Sequence, residues 1–259
     1  MYQTGIVLSG GGARGFSHLG VLKALNEADI YPDCISGTSA GSIAGVFYAD
    51  GYSPLQTLEI LSKNKRLDYL SFALPKDGLL EMNGMQKILE KHIRAKAFND
   101  LKIPLYVAAT NLNKGKIEYF HKGNIIEAVI ASCSIPVVFK PHIINGNYYV
   151  DGGVMDNLPI SPIQRKCKKI IGSYVNPVGY QENFSNIFII AERTFTLGVS
   201  KDIKAKSEKF DLFIEPAELE KFNILNPDKA VEIYEIGYKS TLKALKSYEN
   251  KFGKFMPHD

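Results

Sequence analysis

The sequence has few cysteines, no long apolar run and no large excess of charge, and each absence excludes a class of protein. Only three cysteines occur among 259 residues, Cys34, Cys133 and Cys167. Their odd number and scattered positions are typical of reduced, buried thiols in an intracellular protein. No apolar run reaches the roughly 18 residues of a membrane-spanning helix, and a predicted first strand near residue 5 leaves no room for a signal peptide. We therefore expect a cytoplasmic protein.

The sequence also lacks the motifs of nucleic-acid, metal and nucleotide-triphosphate binding. Lysine and arginine number 31 and aspartate and glutamate 27, a net charge of only +4. Because no helix–turn–helix, RNA-recognition or zinc-finger pattern is present, nucleic acid is not an expected partner. No metal-ligand spacing or calcium loop occurs, so no metal ion or cofactor is predicted. A P-loop is excluded because no Gly-Lys-Ser/Thr follows the N-terminal glycines.

The remaining composition is that of a globular α/β protein. With 45% hydrophobic residues, the chain builds a sizeable core, and we predict a single domain over residues 1–259. Its core motifs lie in 4–175, and 176–259 adds helices and an edge strand at 211–215. Alternating strands and helices predict a three-layer α/β/α sandwich with a mostly parallel sheet. The predicted strands are 5–9, 103–110, 116–120 and 169–175, and the predicted helices are 54–64, 84–96, 124–132, 184–200 and 228–249.

The most informative segment is a glycine- and serine-rich turn. Residues 36–42 have the sequence SGTSAGS, which contains Gly37-x-Ser39-x-Gly41 between an apolar segment and a helix-forming one. This pattern is typical of a nucleophile elbow, a sharp strand–turn–helix that exposes one serine hydroxyl. Gly37 and Gly41 omit the Cβ atoms that would clash across the turn. Ordinary loops also contain such short patterns, so two further segments are needed to support Ser39 as a nucleophile.

The first of these segments is a glycine turn after the first predicted strand. Residues 10–15 have the sequence GGGARG and precede a helical pattern. Free backbone N–H groups at such a helix start bind anions: a dinucleotide pyrophosphate, another phosphate, or the oxyanion of an acyl-transfer intermediate. A dinucleotide site requires an acidic residue where the second strand ends. Asp33 instead begins that strand, and the serine turn ends it, which favours the oxyanion.

The second segment is an aspartate after a predicted hairpin. Asn145-Gly146 between β-rich stretches is a strong hairpin signal, and the return strand ends at Asp151. Gly152 and Gly153 follow and leave the carboxylate unobstructed. An Asp-Gly pair is also an ordinary turn. A serine nucleophile needs a base within hydrogen-bond reach, however, and Asp151 can supply one from a rigid strand end.

Histidine is the usual base in serine hydrolases, but none of the histidines lies in a recognisable triad context. His142, close to the hairpin, is the alternative base, and His18, one turn inside the first predicted helix, is interpreted as structural. The five histidines are His18, His92, His121, His142 and His258.

In combination and in this order, the three segments resemble the patatin-like phospholipase family. The match rests on residues 10–15, 37–41 and 151–153. Residues 131–136, with Phe139 and Pro141 after them, and residues 156–159 are also similar to that family. The resemblance covers about residues 4–175 and weakens beyond them.

The resemblance implies an α/β acyl hydrolase that uses a Ser–Asp dyad without histidine. It implies that Ser39 is the nucleophile, that Asp151 is the base, and that the substrate is a lipid or another acyl ester. A carboxylate is a weak base at neutral pH, so partial burial is expected to raise its pKa. The residues expected to shape the oxyanion hole are Gly10, Gly11, Gly12 and Arg14.

Several alternatives stay open at this point. The chain can be a dinucleotide- or phosphate-binding protein, a regulatory lipid-binding module, or an acyltransferase that differs from a hydrolase only in its acceptor. Arg14 is expected either to hold the glycine turn or to add positive potential to it. An irregular apolar connector at 65–80 is interpreted as packing on the core, with a lid as the alternative.

The predicted helix at 228–249 carries a membrane hypothesis. Lysines on this helix and beyond it can meet anionic lipid headgroups, or they can form an ordinary solvated face. The residues predicted for its apolar side are Val231, Tyr234, Tyr238, Leu242 and Leu245, and the lysines are Lys239, Lys243, Lys246, Lys251 and Lys254.

Overall fold

The computed structural model describes residues 1–63, 80–185, 187–201 and 203–255. The connector predicted at 65–80 lies outside these residues except for Leu80, and so does His258. Strands in the described ranges form one mixed sheet with the order β5-β6-β3-β2-β1-β7-β8, and β4 pairs with β3. The strands are β1 (Tyr2–Leu8), β2 (Cys34–Thr38), β3 (Leu105–Asn111), β4 (Lys116–Phe120), β5 (His142–Ile144), β6 (Asn147–Asp151), β7 (Cys167–Ser173) and β8 (Leu212–Ile214).

The centre of the sheet is parallel, as the alternation of strands and helices predicted. β3, β2, β1, β7 and β8 run in the same direction, and β4, β5 and β6 add antiparallel pairs next to β3. Leu8 at the end of β1 is in register with Gly37 near the end of β2. The turns that follow these two strands therefore lie side by side at the carboxyl edge of the sheet.

Helices and single turns cover both faces of the sheet. The capping box of Ser53 and Gln56, with Pro54 at the first helical position, explains why the third helix begins where predicted. The helix predicted at 84–96 ends early, because the backbone N–H groups of Arg94 and Ala95 donate to the Asp50 carboxylate. The helices are α1 (Phe16–Glu27), α2 (Ala40–Ala49), α3 (Pro54–Ser62), α4 (Asn83–His92), α5 (Ile125–Cys133), α6 (Gly153–Asp156), α7 (Ile187–Ser200), α8 (Ile203–Ser207) and α9 (Ala230–Phe252).

Alternating side chains of the central strands build a core on each face. Ile6 and Leu8 of β1 belong to the larger core, which α1, α2, α4, α5 and α9 share. Val7, between them, belongs to a smaller core with Ile163 and Phe210, residues near the loops that flank β7. Two buried faces explain why the central strands read as continuous apolar runs in the sequence.

The apolar side predicted for the C-terminal helix was partly wrong. Val231 is 60% exposed and Leu242 is 42% exposed. The buried side of α9 includes Gly237, where a Cβ atom would lie 2.2 Å from the Ser17 carbonyl oxygen of α1. Close approach of the two helices selects a residue without a side chain, which a hydrophobic pattern does not detect.

Candidate active site

Ser39 lies in a strained turn between β2 and α2. Its backbone angles, φ 52° and ψ −124°, are ones that a residue with a side chain rarely adopts. A Cβ atom on Gly37 would lie 2.7 Å from the Gly41 carbonyl oxygen, and one on Gly41 would lie 2.2 Å from that of Leu8. The Ser39 N–H donates to the Ser132 hydroxyl at 2.8 Å, which fixes the turn from α5. This is the nucleophile-elbow geometry that the Gly-x-Ser-x-Gly pattern predicted.

The glycine turn after β1 leaves two backbone donors free. The Gly10 N–H donates to the Asn157 carbonyl oxygen at 3.2 Å, whereas the Gly11 and Gly12 N–H groups meet no acceptor in the described ranges. Gly12 has φ 53°, and a Cβ atom there would lie 2.1 Å from the Ile224 carbonyl oxygen. Gly10 therefore shapes the turn, and Gly11 and Gly12 are the residues with N–H groups available to an anion.

Asp151 ends β6 and is 1% exposed. Its Oδ1 accepts a hydrogen bond from the Gly153 N–H at 2.7 Å, and its Oδ2 has no hydrogen-bond partner among the described residues. Burial raises the pKa of this carboxyl to about 7, although the neighbouring Ser39 hydroxyl and the Gly153 N–H act to lower it. The carboxylate is thus desolvated, held by its neighbour and able to take a proton near neutral pH.

Two cavities meet at Ser39. The smaller is lined by Ser39, Asp151 and the three glycines of the turn. The larger has a volume of about 830 Å³ and runs from Ser39 between α1, α2 and α4, with Phe16, Met85 and other apolar side chains in its wall. The site is therefore polar where the two candidate catalytic residues meet and apolar beyond them.

Arg14 lines neither of the two cavities. Its Nε donates to the Phe222 carbonyl oxygen at 2.8 Å, and its Nη2 donates to that of Glu220 at 3.1 Å. Burial lowers the pKa of the guanidinium. Of the two roles considered for Arg14, its contacts favour holding the glycine turn against the C-terminal segment. Arg14 is absent from the lining of the smaller cavity, which contains Ser39 and Asp151.

Neither His18 nor His142 is placed as a base. His18 is fully buried and contacts the Ser173 hydroxyl and the Ser9 carbonyl oxygen, each at 2.8 Å. Burial lowers its pKa to about 4, so its ring is neutral and joins β1 to β7. His142 lies on β5 and lines neither cavity.

Asp33 is at the wrong end of the sheet for a dinucleotide site. Its carboxylate accepts hydrogen bonds from the Gln3 and Thr4 N–H groups at the start of β1. The glycine turn follows the other end of that strand. A ribose bound at the glycine turn would therefore not reach this carboxylate, and the geometry gives no support to the dinucleotide interpretation.

Sequence reasoning gave no role to several residues that build the site. The Asn176 side chain donates to the Gly10 carbonyl oxygen at 2.5 Å, and the Ser132 hydroxyl donates to that of Ala108 at 2.6 Å. Asn157 and the α7 residue Phe195 line the smaller cavity. Asn176 follows β7, and a polar residue just past a buried strand was the only sequence signal for it.

Comparison with known proteins identifies the family. A family model described as patatin-like phospholipase matches residues 6–163, more than half of the chain. The chain belongs to the patatin-like phospholipase family. The match includes the glycine turn, the elbow and Asp151, the segments on which the sequence resemblance rests.

Relatives of known sequence carry lysophospholipase and NTE-family names. A lysophospholipase NTE1 of Kluyveromyces lactis is 30% identical over 90% of this chain, which spans 18% of that protein. An uncharacterised NTE family protein of Mycobacterium tuberculosis is 32% identical over 62% of this chain and 45% of its own length. This patatin-like chain therefore corresponds to only a part of these relatives.

A solved structure shows the same fold. The crystal structure of VipD from Legionella pneumophila aligns with a TM-score of 0.55 and 16% sequence identity. The alignment covers 95% of this chain and 67% of the VipD chain. Within the described residues, no helix is both long and apolar enough to cross a membrane.

Proposed function

We propose that this protein is a lipid acyl hydrolase in which Ser39 is the nucleophile and Asp151 the base. The observation that carries the proposal is the shared cavity. It contains a serine on a strained elbow, a buried carboxylate and two glycines whose N–H groups meet no acceptor among the residues that the structure describes. Nucleophile, base and anion donors are the three components that acyl transfer requires.

The electrostatics of Asp151 suit the role of base. A carboxylate with an ordinary pKa near 3.9 would hold a proton too weakly at neutral pH. Burial raises the pKa of Asp151 to about 7, which is close to the value at which a general base is most effective at neutral pH. A dyad without histidine thus has a base of suitable strength.

The larger cavity supports a long acyl chain as the part of the substrate that is recognised. It begins at Ser39 and is walled by apolar residues of α1, α2 and α4. Transfer of a chain from water into such a cavity gains about 0.8 kcal/mol per buried CH₂ group. The substrate class is therefore a fatty acyl ester, as in phospholipids, lysophospholipids or simple carboxylic esters.

The reaction proceeds in two steps. Asp151 takes the hydroxyl proton of Ser39, whose Oγ attacks the ester carbonyl, and the Gly11 and Gly12 N–H groups stabilise the oxyanion. The alcohol leaves with the proton, and an acyl-enzyme remains. Water then attacks the acyl-enzyme and gives its proton to Asp151, which returns it to Ser39 Oγ as the bond to the acyl carbon breaks and the fatty acid is released. Neither step uses a cofactor.

Labelling with a fluorophosphonate tests the nucleophile. Intact-mass analysis should show a single adduct on the wild type and on Ser62→Ala, a control at an exposed serine of α3. Ser39→Ala should show none, and Asp151→Asn should react much more slowly. An adduct that survives in Ser39→Ala would overturn the assignment. Vesicle binding without measurable ester hydrolysis would favour a regulatory lipid-binding protein instead.

Contact with a membrane surface is a further part of the proposal. Several lysines along α9, Lys239, Lys243 and Lys246 among them, are exposed, and each Lys near an anionic surface contributes about 1 kcal/mol. Replacing these three by Glu should weaken sedimentation with phosphatidylserine vesicles and leave hydrolysis of a soluble short-chain ester unchanged. Equal sedimentation of both proteins would contradict the contact.

A further inference from the structure

The smaller cavity contains a buried amide that the dyad does not use. Asn157 follows α6 and is 5% exposed, and its Nδ2 has no hydrogen-bond partner among the described residues. Its side chain lines the cavity together with Ser39 and Asp151. A buried amide without a partner costs about 1–3 kcal/mol, so this position is expected to serve a ligand.

The Asn157 side chain lies close to both candidate catalytic residues. A Cβ atom on Gly10 would lie 2.5 Å from Asn157 Oδ1 and 3.1 Å from Ser39 Cβ. One on Gly153 would lie 3.0 Å from both Asn157 Oδ1 and Asp151 Oδ1. The amide oxygen of Asn157 is therefore close to the Ser39 side chain and to the Asp151 carboxylate, and the Nδ2 atom belongs to the same small amide group.

Two residues that line this cavity each carry a polar atom without a partner among the described residues, and the two atoms are complementary. Asn157 offers an N–H donor, and Asp151 offers Oδ2 as an acceptor. The centre of a water molecule can occupy about 10 Å³ of the cavity, which is room for about one water. Phe195, Thr196 and Val199 of α7 also line this cavity.

We propose that Asn157 and Asp151 together bind the water molecule that hydrolyses the acyl-enzyme. This inference rests on the proposed function and assigns a residue to its second step. The water accepts a hydrogen bond from the Asn157 amide and donates one to the Asp151 carboxylate. With one donor and one acceptor fixed, its oxygen is directed at the ester carbonyl on Ser39.

The water oxygen bonds to the acyl carbon while its proton moves to Asp151, and the carbonyl oxygen becomes an oxyanion held by the Gly11 and Gly12 N–H groups. The intermediate then collapses, the bond between the acyl carbon and Ser39 Oγ breaks, and Asp151 returns the proton to Oγ. Asn157 changes neither charge nor bonding, so it is a positioning residue for the water.

This role predicts an effect on deacylation alone. The first step uses no water, so loss of the Asn157 amide should leave acylation nearly unchanged. Loss of one hydrogen bond to the attacking water should slow deacylation about tenfold or more. Residues that only support the fold, or donors to the oxyanion, would affect both steps together, since both pass through the same oxyanion.

The experiment compares four proteins: wild type, Asn157→Leu, Asn157→Ala and the exposed control Asn250→Leu. The substrate is a nitrophenyl ester of a long-chain fatty acid. Acylation is followed by kcat/KM, and deacylation by decay of the acyl-enzyme, measured by acid quench and intact mass. We expect both Asn157 variants to keep kcat/KM within about twofold and to accumulate acyl-enzyme. Partial recovery in Asn157→Ser, which restores a small donor, would support the same conclusion.

Equal losses in the two steps, no loss in either, or failure of both variants to fold would overturn the role of Asn157. Each of these results can be distinguished from a failure of the proposed function itself. A wild-type protein that forms no Ser39-dependent acyl-enzyme would contradict the dyad, whatever the Asn157 variants do.

Discussion

Replacement of Asp151 by Asn should stabilise the protein at alkaline pH while abolishing hydrolysis. The folded protein raises the pKa of this carboxyl to about 7 through burial, against about 3.9 in an unfolded chain. Between these values the native state holds a proton that the unfolded chain has released. The contribution of this carboxyl to the free energy of unfolding is therefore fully present below about pH 3.9, and it is lost as the pH rises through 7.

The magnitude follows from the difference in pKa. Each pKa unit corresponds to about 1.4 kcal/mol, so a difference of roughly three amounts to about 4 kcal/mol. About 2.5 kcal/mol of this is lost between pH 5 and pH 8. Asp151→Asn buries no charge at any pH, so its stability relative to the wild type should increase by that amount. For a domain of this size the melting temperatures should diverge by about 5–10 °C.

The assay is thermal unfolding of wild type, Asp151→Asn and the exposed control Asp228→Asn at pH 5, 6, 7 and 8. The gap between Asp151→Asn and wild type should widen with pH, and the gap for the control should stay constant. A gap for Asp151→Asn that does not change with pH would refute the raised pKa and, with it, the account of Asp151 as a base near neutrality.

Three further predictions concern the same site. The value of kcat/KM should rise about tenfold between pH 6 and pH 8 as Asp151 loses its proton, and a flat pH profile would contradict this. Gly12→Ala places a Cβ atom against the Ile224 carbonyl oxygen, so ester hydrolysis should fall about a hundredfold or more, and near-normal rates would exclude this turn as the oxyanion hole. Arg14→Ala removes the hydrogen bond to the Phe222 carbonyl oxygen and should lower unfolding free energy by about 2–3 kcal/mol. Urea denaturation checks the last prediction, and unchanged stability would contradict it.

Much of the framework follows from local sequence signals. The Asn145-Gly146 pair predicted the hairpin of β5 and β6, and the helix predicted at 54–64 begins at Pro54, directly after the capping residue Ser53. These features depend on neighbours in the chain. Predicted boundaries failed where a distant residue intervened, as at α4, which ends where Asp50 accepts its following N–H groups.

The C-terminal third was harder to predict, because tertiary contacts decide its role. The sequence predicted a helix close to α7 but gave it no function, and the structure places Phe195 and Val199 of that helix in the wall of the smaller cavity. Arg14 similarly reaches across more than 200 residues of sequence to the Phe222 carbonyl oxygen. No local pattern records such a pairing.

The sequence by itself determined the parallel sheet, the strained turn at Ser39 and the glycine turn after β1, because each depends on the conformational limits of a few consecutive residues. Tertiary structure alone decided the burial that raises the pKa of Asp151, the lack of acceptors in the described ranges for the Gly11 and Gly12 N–H groups, and the position of Asn157 close to Ser39 and Asp151. Desolvation and hydrogen-bond partnership are properties of the packed chain, since they depend on which distant segments exclude water from a group.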